Sequence, residues 1–306
     1  MTTTSTMLGK NNKRGKEKMK KDYSNIWGAI VGDIAGSRFE WHPHKSKDFE
    51  LLVEKESIIK DEDYPLVIKK ERKCYFTDDT VMTLAIANAL MECKKDFSDL
   101  KELTIENMQF YGNLFPHAGY GRGFKNWLFS LNPQPYRSYG NGSAMRVSAV
   151  AYFANNIDEV KKLSAIVTDV THGHPEGIKG AEATAVCTFM ALNGSSKEDI
   201  IAEAKKYYNL DFDYQDLLKN YRFDETCQGT VPQSIFAFAI STSYEDAIRT
   251  AISMGGDADT MGAITGAIAG AYYGVPEDIK TKAEKFLPKY LLEVVKRFEK
   301  LQKKGE

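Results

Sequence analysis

The chain is poor in the residues that build the commoner staples and metal sites. Among 306 residues there are four cysteines, Cys74, Cys93, Cys187 and Cys227, and no two form a CxxC pair. That excludes a zinc ribbon and a disulfide framework and fits a reducing, cytoplasmic compartment. Histidine is equally sparse, at five. His172 and His174 sit together in THGHPEG, but with no cysteine or third histidine beside them they make a poor zinc site. No apolar run reaches the length of a membrane span. Strand signals are few: LLVEKESII and YPLVIKKERKCYF, about 51–76, are extended or irregular. There is no repeat of fixed period and no Pro/Ser-rich linker.

Charge is nearly balanced overall but not along the chain. Residues 1–21 hold seven Lys/Arg against one Glu, a net of +6, so that against an overall −1 the remaining residues carry −7. The stretch MTTTSTMLGKNNKRGKEKMKK has no apolar core and is no secretory signal. It reads as a disordered basic arm, 1–22, ahead of one domain, 23–306. The arm is a solvated leader, a start placed too early (Met7 and Met19 are alternatives), or a segment that contacts an acidic partner. The acidic body disfavours nucleic acid as a partner, because phosphate contacts need clustered Lys/Arg.

What is abundant is helical pattern. IWGAIVGDIAGSRFE, 26–40, spaces Gly28, Gly32 and Gly36 four apart, on one helix face. DDTVMTLAIANALMECK carries an apolar stripe through Val81, Leu84, Ala85 and Ala89, and its acidic start suits the positive end of a helix dipole. NGSAMRVSAVAYFANN, GIKGAEATAVCTFMALNG and VPQSIFAFAIS read similarly. Ser243 with Asp246 three residues on marks another helix start. MGAITGAIAGAYYGVP repeats the four-residue glycine spacing at Gly262, Gly266 and Gly270. Glycine costs about 1 kcal/mol against alanine inside a helix, so two such faces imply backbones in close contact. Pro276 starts a C-terminal helix that Pro288 divides, ending near Leu301. The expected architecture is one compact all-α domain, with Trp41 to Tyr75 and 207–228 as loops.

Two acidic clusters stand at helix starts. FTDDTVM supplies Thr77, Asp78, Asp79 and Thr80; GGDADTMG supplies Asp257, Asp259 and Thr260. Either alone is a good N-cap. Together they offer the oxygen ligands that Mg²⁺ or Mn²⁺ prefer, and ions relieve the repulsion between clustered carboxylates. A third feature, YGNGSAMR, leads two glycines and a serine into a helix, a possible anion cradle of backbone N–H groups.

In these blocks the chain resembles the ADP-ribosylglycohydrolase family, which includes the dinitrogenase reductase-activating glycohydrolase. The matching stretches are GAIVGDIAGSRFE, FTDDTVMTLAI, YGNGSAMRV, THGHPEG and GGDADTMGAITGAIAGAYYG, in family order over about residues 26–276. The resemblance implies a compact all-α fold with a binuclear Mg²⁺ or Mn²⁺ centre in a central cleft. It implies cleavage of the bond between C1″ of a ribose and an acceptor, releasing ADP-ribose. It makes Thr77, Asp78, Asp79, Asp257, Asp259 and Thr260 the metal ligands. Glu40, with Asp78 and Asp79, becomes the catalytic set, Glu40 acting in proton transfer. Gly140, Asn141, Gly142, Ser143, Ala144 and Met145 cradle the diphosphate and ribose, and His172 contacts the nucleotide. His117, in FPHAGYGRGF, stands where arginine-specific bacterial members carry an acidic residue, and joins the substrate-binding set.

The favoured substrate is a mono-ADP-ribosylated acceptor, arginine first. Serine, a nucleobase or an O-acyl-ADP-ribose are the alternative conjugates. A different class of reading is a catalytically weak ADP-ribose-binding interaction protein, which retention of all six ligands and Glu40 argues against. A di-metal phosphoesterase would call for histidine ligands, and neither acidic block contains one.

Overall fold

The computed structural model describes residues 21–60 and 68–302. A 3-10 turn, Tyr23–Ile26, leads into α1 (Trp27–Gly36). A long connection then carries the antiparallel hairpin β1 (Ser57–Lys60) and β2 (Ile68–Glu71), with Ser57 opposite Glu71 and Lys60 opposite Ile68. The rest is helical: α2 (Asp78–Glu92), α3 (Leu100–Leu114), α4 (Arg122–Leu128), α5 (Gly142–Arg146), α6 (Val150–Phe153), α7 (Ile157–Asp169) and α8 (Pro175–Leu192). These are followed by α9 (Lys197–Ala204), α10 (Tyr214–Asn220), α11 (Cys227–Ile240), α12 (Tyr244–Ser253), α13 (Ala258–Tyr273), α14 (Glu277–Glu284) and α15 (Lys289–Glu299).

The centre is α13. Every residue from Ala258 to Ala271 is buried, as is all of α1. Helices apolar all round belong in the interior. Around α13 lie α1, α8, α11 and α12. Its contact with α1 is the most extensive between elements among the described residues, and the glycines allow it. A Cβ on Gly28 would fall under 3.0 Å from the Gly266 carbonyl oxygen, one on Gly32 from that of Gly262, and one on Gly36 from that of Ala258. The reverse holds for Gly262 against Gly32 and Gly266 against Gly28. Backbone therefore meets backbone along three turns, as the two glycine faces implied.

Several sequence expectations need correction. The helix at 26–40 stops at Gly36, because the Ser37 hydroxyl donates back to the Ile34 carbonyl (2.9 Å) and Phe39 N–H turns to Gly36 O (2.8 Å). The stretch 141–156 is two short helices: between them the bonds tighten to Val150 N–H to Val147 O and Ala151 N–H to Ser148 O. The loop at 41–75 holds the hairpin, and the one at 207–228 contains α10, whose N-cap Asp213 accepts from Asp216 N–H at 2.8 Å. The Ser243 cap forms (Asp246 N–H to Oγ, 3.1 Å), and Pro276 and Pro288 open α14 and α15. Residues 1–20 of the expected arm lie outside the described residues. Lys21 and Asp22 lie on the body: Lys21 Nζ donates to the carbonyls of Ala151 (3.0 Å) and Tyr152 (3.1 Å), and Asp22 caps the 3-10 turn. Among the described residues no helix is long and apolar enough to cross a membrane.

Gly32→Ala and Gly262→Ala each force α1 away from α13. The expected cost is about 1–3 kcal/mol or more, read as a lower urea midpoint; a midpoint equal to that of the parent protein would contradict the packing described.

Candidate active site

Three chain segments deliver acids to one place. The C-terminal half of α1 gives Asp33, and the turn after it gives Glu40. The start of α2 gives Thr77, Asp78 and Asp79. The start of α13 gives Asp257, Asp259 and Thr260. Gly255 and Gly256, at φ +73° and +77°, turn the chain into α13. L side chains avoid that region, and a Cβ at Gly256 would also strike the Tyr221 ring. At α2, Thr77 is the N-cap and accepts from Asp79 N–H (3.3 Å).

Asp33 holds α2 in register. It is fully buried, and it accepts from Thr77 N–H (2.9 Å), Thr77 Oγ1 (2.6 Å), Thr80 N–H (3.1 Å) and the Thr80 hydroxyl. Asp33 stands outside the site residues expected from sequence. The signal was there: a lone aspartate in a Gly/Ala/Ile run has no reason to be buried unless donors await it. Committing the Thr77 proton to Asp33 leaves the Thr77 oxygen able only to accept or ligate.

The carboxylates converge closely. One oxygen each from Asp33, Asp79 and Asp259 lie within 4.8 Å of one another, as do oxygens from Glu40, Asp257 and Asp259. The two triads share Asp259. Asp79 Oδ1 is buried with no hydrogen-bond partner, and Thr260 Oγ1 lies 3.4 Å from Asp79 Oδ2. Asp257 Oδ2 takes a bond from Asn141 Nδ2 at 2.7 Å. A buried carboxylate oxygen without a donor is costly. An all-oxygen donor set with such an orphan fits a hard divalent cation.

Burial pushes every one of these acids upward, and repulsion between them adds to it at Glu40, Asp78, Asp79 and Asp259. Burial raises Asp33 to about 6. Burial, then Asp257 and Asp33, raises Glu40 to about 7. Asp78 is pushed to about 8 by burial first and by Asp33 next. Asp79 and Asp259 are held well above the carboxylate range, by burial first and then by their acidic neighbours, and Asp257 is raised by burial.

Above the acids opens a cavity of about 690 Å³. Of the residues expected from sequence, Glu40, Asp78, Asp79, Gly140, Asn141, Gly142, Met145, His172, Asp257, Asp259 and Thr260 line it. Thr77, Ser143 and Ala144 are buried behind the wall; Ser143 Oγ donates to Gly177 O at 2.8 Å. His117 is exposed on the connection after α3 and does not line the cavity, whereas Gly119, Tyr120 and Gly121 beside it do. Part of the expected cradle is already spent: Asn141 N–H bonds Glu225 O (2.8 Å), and Ala144 and Met145 N–H bond Asn141 O. The N–H of Gly142 remains on the lining. His174 caps α8 through Glu176 N–H (3.1 Å) and takes no part with His172. Three further lining residues stand outside those expected from sequence: Arg146, a buried guanidinium at the wall, and Trp41 and Phe223, whose exposed rings stack at 5.1 Å beside Glu40.

A helical body whose central cleft is floored by clustered carboxylates and flanked by a glycine turn defines a class of cleft enzyme built around oxygen ligands. Within it the chain belongs to the ADP-ribosylglycohydrolase family, a family of enzymes whose family model matches residues 22–306. Among curated relatives, the mouse protein named ADP-ribosylhydrolase ARH3 is 29% identical over 85% of this chain and 86% of its own length. The human protein of the same name is 28% identical over 84% and 87%. A Pseudomonas putida (strain GB-1) protein named ADP-ribosylarginine hydrolase Tri1 is 27% identical over 65% of this chain and 59% of its own. A solved structure titled ADP-ribosylglycohydrolase-related protein complex shares the fold, with TM-score 0.63, 24% identity and coverage of 93% and 99%.

The raised acids set a pH signature. An acid whose folded pKa exceeds its unfolded value near 4 keeps its proton in the fold after the unfolded chain has lost it. Stability is then full below about pH 4 and falls as pH rises through the folded values, about 6 to 8 for Asp33, Glu40 and Asp78. In EDTA the melting temperature is expected to fall between about pH 5 and 8, and Mg²⁺ or Mn²⁺ is expected to restore it, more at higher pH. No response to either ion across that range would remove the cation from the account.

Proposed function

We propose that the protein is a divalent-metal-dependent hydrolase that cleaves the C1″ glycosidic bond of mono-ADP-ribosylated acceptors, arginine favoured, and releases ADP-ribose. The observation that carries this is the pair of carboxylate triads sharing Asp259, with a partnerless Asp79 oxygen, at the floor of a cavity of about 690 Å³. In this reading two Mg²⁺ or Mn²⁺ ions are held by Thr77, Asp78, Asp79, Asp257, Asp259 and Thr260. When bound, such ions orient the ribose hydroxyls and lower the pKa of the attacking water.

The chain's own groups account for the rest. Glu40, partly buried at the cavity edge with its carboxyl raised to about 7, takes a proton from water and returns one to the departing acceptor. The bond to the acceptor breaks with its electrons leaving on the acceptor atom, and water supplies the hydroxyl at C1″. The carboxylates at the floor stabilise the positive charge that develops on the ribose. The diphosphate is received by the Gly142 N–H with His172, both on the cavity lining. Arginine as acceptor is supported by the stacked Trp41 and Phe223 at the mouth, with Glu225 also on the lining. Aromatic faces beside carboxylates suit a planar cation. The relative named ADP-ribosylarginine hydrolase is in keeping with it. Residues 23–306 carry the chemistry, in a reducing, cytoplasmic setting consistent with four free cysteines. Residues 1–20, basic in sequence, are suited to an acidic partner.

The test is release of ADP-ribose from arginine-linked and serine-linked mono-ADP-ribosylated proteins, in Mg²⁺ and then in EDTA. Release in Mg²⁺ that EDTA suppresses is expected, faster on the arginine conjugate. Asp259→Ala is expected to lower turnover by about a thousandfold with an unchanged circular dichroism spectrum. Full activity in that variant would sink the metal assignment, and serine-only release would overturn the acceptor. ADP-ribose binding without release from either conjugate would instead favour a binding protein or another conjugate.

A further inference from the structure

Arg146 is among the largest fully buried side chains in the protein, at 1% exposure. No ion pair to it is found among the described residues, and its Nε has no hydrogen-bond partner. A buried guanidinium is costly to keep without a carboxylate, so what it does touch is informative. Its Nη2 donates to Thr171 Oγ1 at 2.6 Å, and that same oxygen lies 2.6 Å from His172 Nδ1.

The directions of these two bonds follow from proton inventory. Arginine only donates, so the Thr171 oxygen accepts from it. The Thr171 hydroxyl has one proton of its own. If Nδ1 carried a proton, it too would point at the Thr171 oxygen, and the hydroxyl proton would be left buried without an acceptor. The consistent arrangement has Thr171 donating to a bare Nδ1, which puts the imidazole proton on Nε2. Burial first, and Arg146 next, hold His172 well below the ordinary histidine range, so the ring is neutral. Its Nε2 edge lies over the glycine turn: a Cβ on Gly142 would meet Nε2 at 3.4 Å, and one on Gly140 at 3.7 Å. No protein acceptor for Nε2 is found among the described residues, and His172 lines the cavity.

We propose that Arg146 is a positioning residue that acts through Thr171 to hold His172 as the Nε2–H tautomer, so that the cavity presents one fixed donor over Gly140–Gly142. The ligand group received there must offer an acceptor oxygen. On the reading under Proposed function it is an oxygen of the ADP-ribose diphosphate, shared with the N–H of Gly142 on the same lining. A neutral donor locked in one tautomer binds an anion with no proton uptake and no ring flip.

The test begins without ligand. In the free wild-type protein, ¹⁵N-histidine NMR, with His172 assigned through His172→Gln, reads the tautomer directly. A bare Nδ1 and a protonated Nε2, unchanged from about pH 6 to 8, are expected. A protonated Nδ1, or an imidazolium at neutral pH, overturns the proposal. Arg146→Met removes the donor at similar volume. It is expected to give averaged His172 tautomers and ADP-ribose binding weakened about tenfold by calorimetry. Wild-type signals and affinity in a folded Arg146→Met protein also overturn it. If that variant does not fold, Thr171→Val is expected to weaken ADP-ribose binding about tenfold and Thr171→Ser to recover it; equal affinity in both overturns the relay. Failure of the wild-type protein to bind ADP-ribose would count against the functional reading, while the ligand-free tautomer measurement still judges the relay.

Discussion

The contact between α1 and α13 fixes the distances on which the site depends. Backbone rests on backbone at Gly28–Gly266, Gly32–Gly262 and Gly36–Ala258, with no room for a side chain between them. The last of these contacts lies at the end of α1 and the start of α13. Asp33 and Glu40 thereby come up against Asp257 and Asp259, on segments more than 200 residues apart in the chain. Asp33 then recruits a third segment, because its four accepted bonds are all to Thr77 and Thr80 at the start of α2. One small-residue seam and one buried aspartate thus gather acids from three places.

That gathering is unfavourable in itself. Like charges a few ångströms apart in a buried site raise one another's pKa, and burial raises them further. The fold accepts this at the one place where the helix starts of α2 and α13 meet, where N-terminal dipoles soften the repulsion. A divalent ion would offset the remainder and give the orphaned Asp79 oxygen a partner. The side of the cavity lined by Gly140, Gly142 and His172 follows another logic. There the glycine turn with the Gly142 N–H, and His172 backed by Thr171 and Arg146, supply donors, and Arg122 and Arg137 also stand on the lining. Donors at one end and acceptors at the other suit a ligand with a diphosphate and a ribose.

Much of this was legible in the sequence, for physical reasons. Two glycine faces of the same spacing can have few purposes other than close helix contact, and they proved to touch each other. Acid pairs at two helix starts were readable as caps and ligands at once, and both clusters reach the cavity. Proline divided the last helices where expected. The misses share a different cause: they depend on long-range partners. Asp33 reads as an oddity in an apolar helix until Thr77 and Thr80 are seen to meet it. The break after Gly36 rests on a serine bonding back to its own helix. The short helix α10 was hidden by its polar, tyrosine-rich composition. Arg146 looked like an ordinary helix-end cation, because nothing local predicts that its partner is a threonine 25 residues on.

The central claim is that the α1–α13 seam builds a shared-carboxylate cation site. Crystals grown with Mn²⁺ and measured at the manganese absorption edge test it most directly. The account expects two anomalous peaks at the cavity floor, both within bonding distance of Asp259, with Asp79 on one side and Asp257 on the other. A map with no peak there, or with manganese bound only at surface carboxylates, would contradict it.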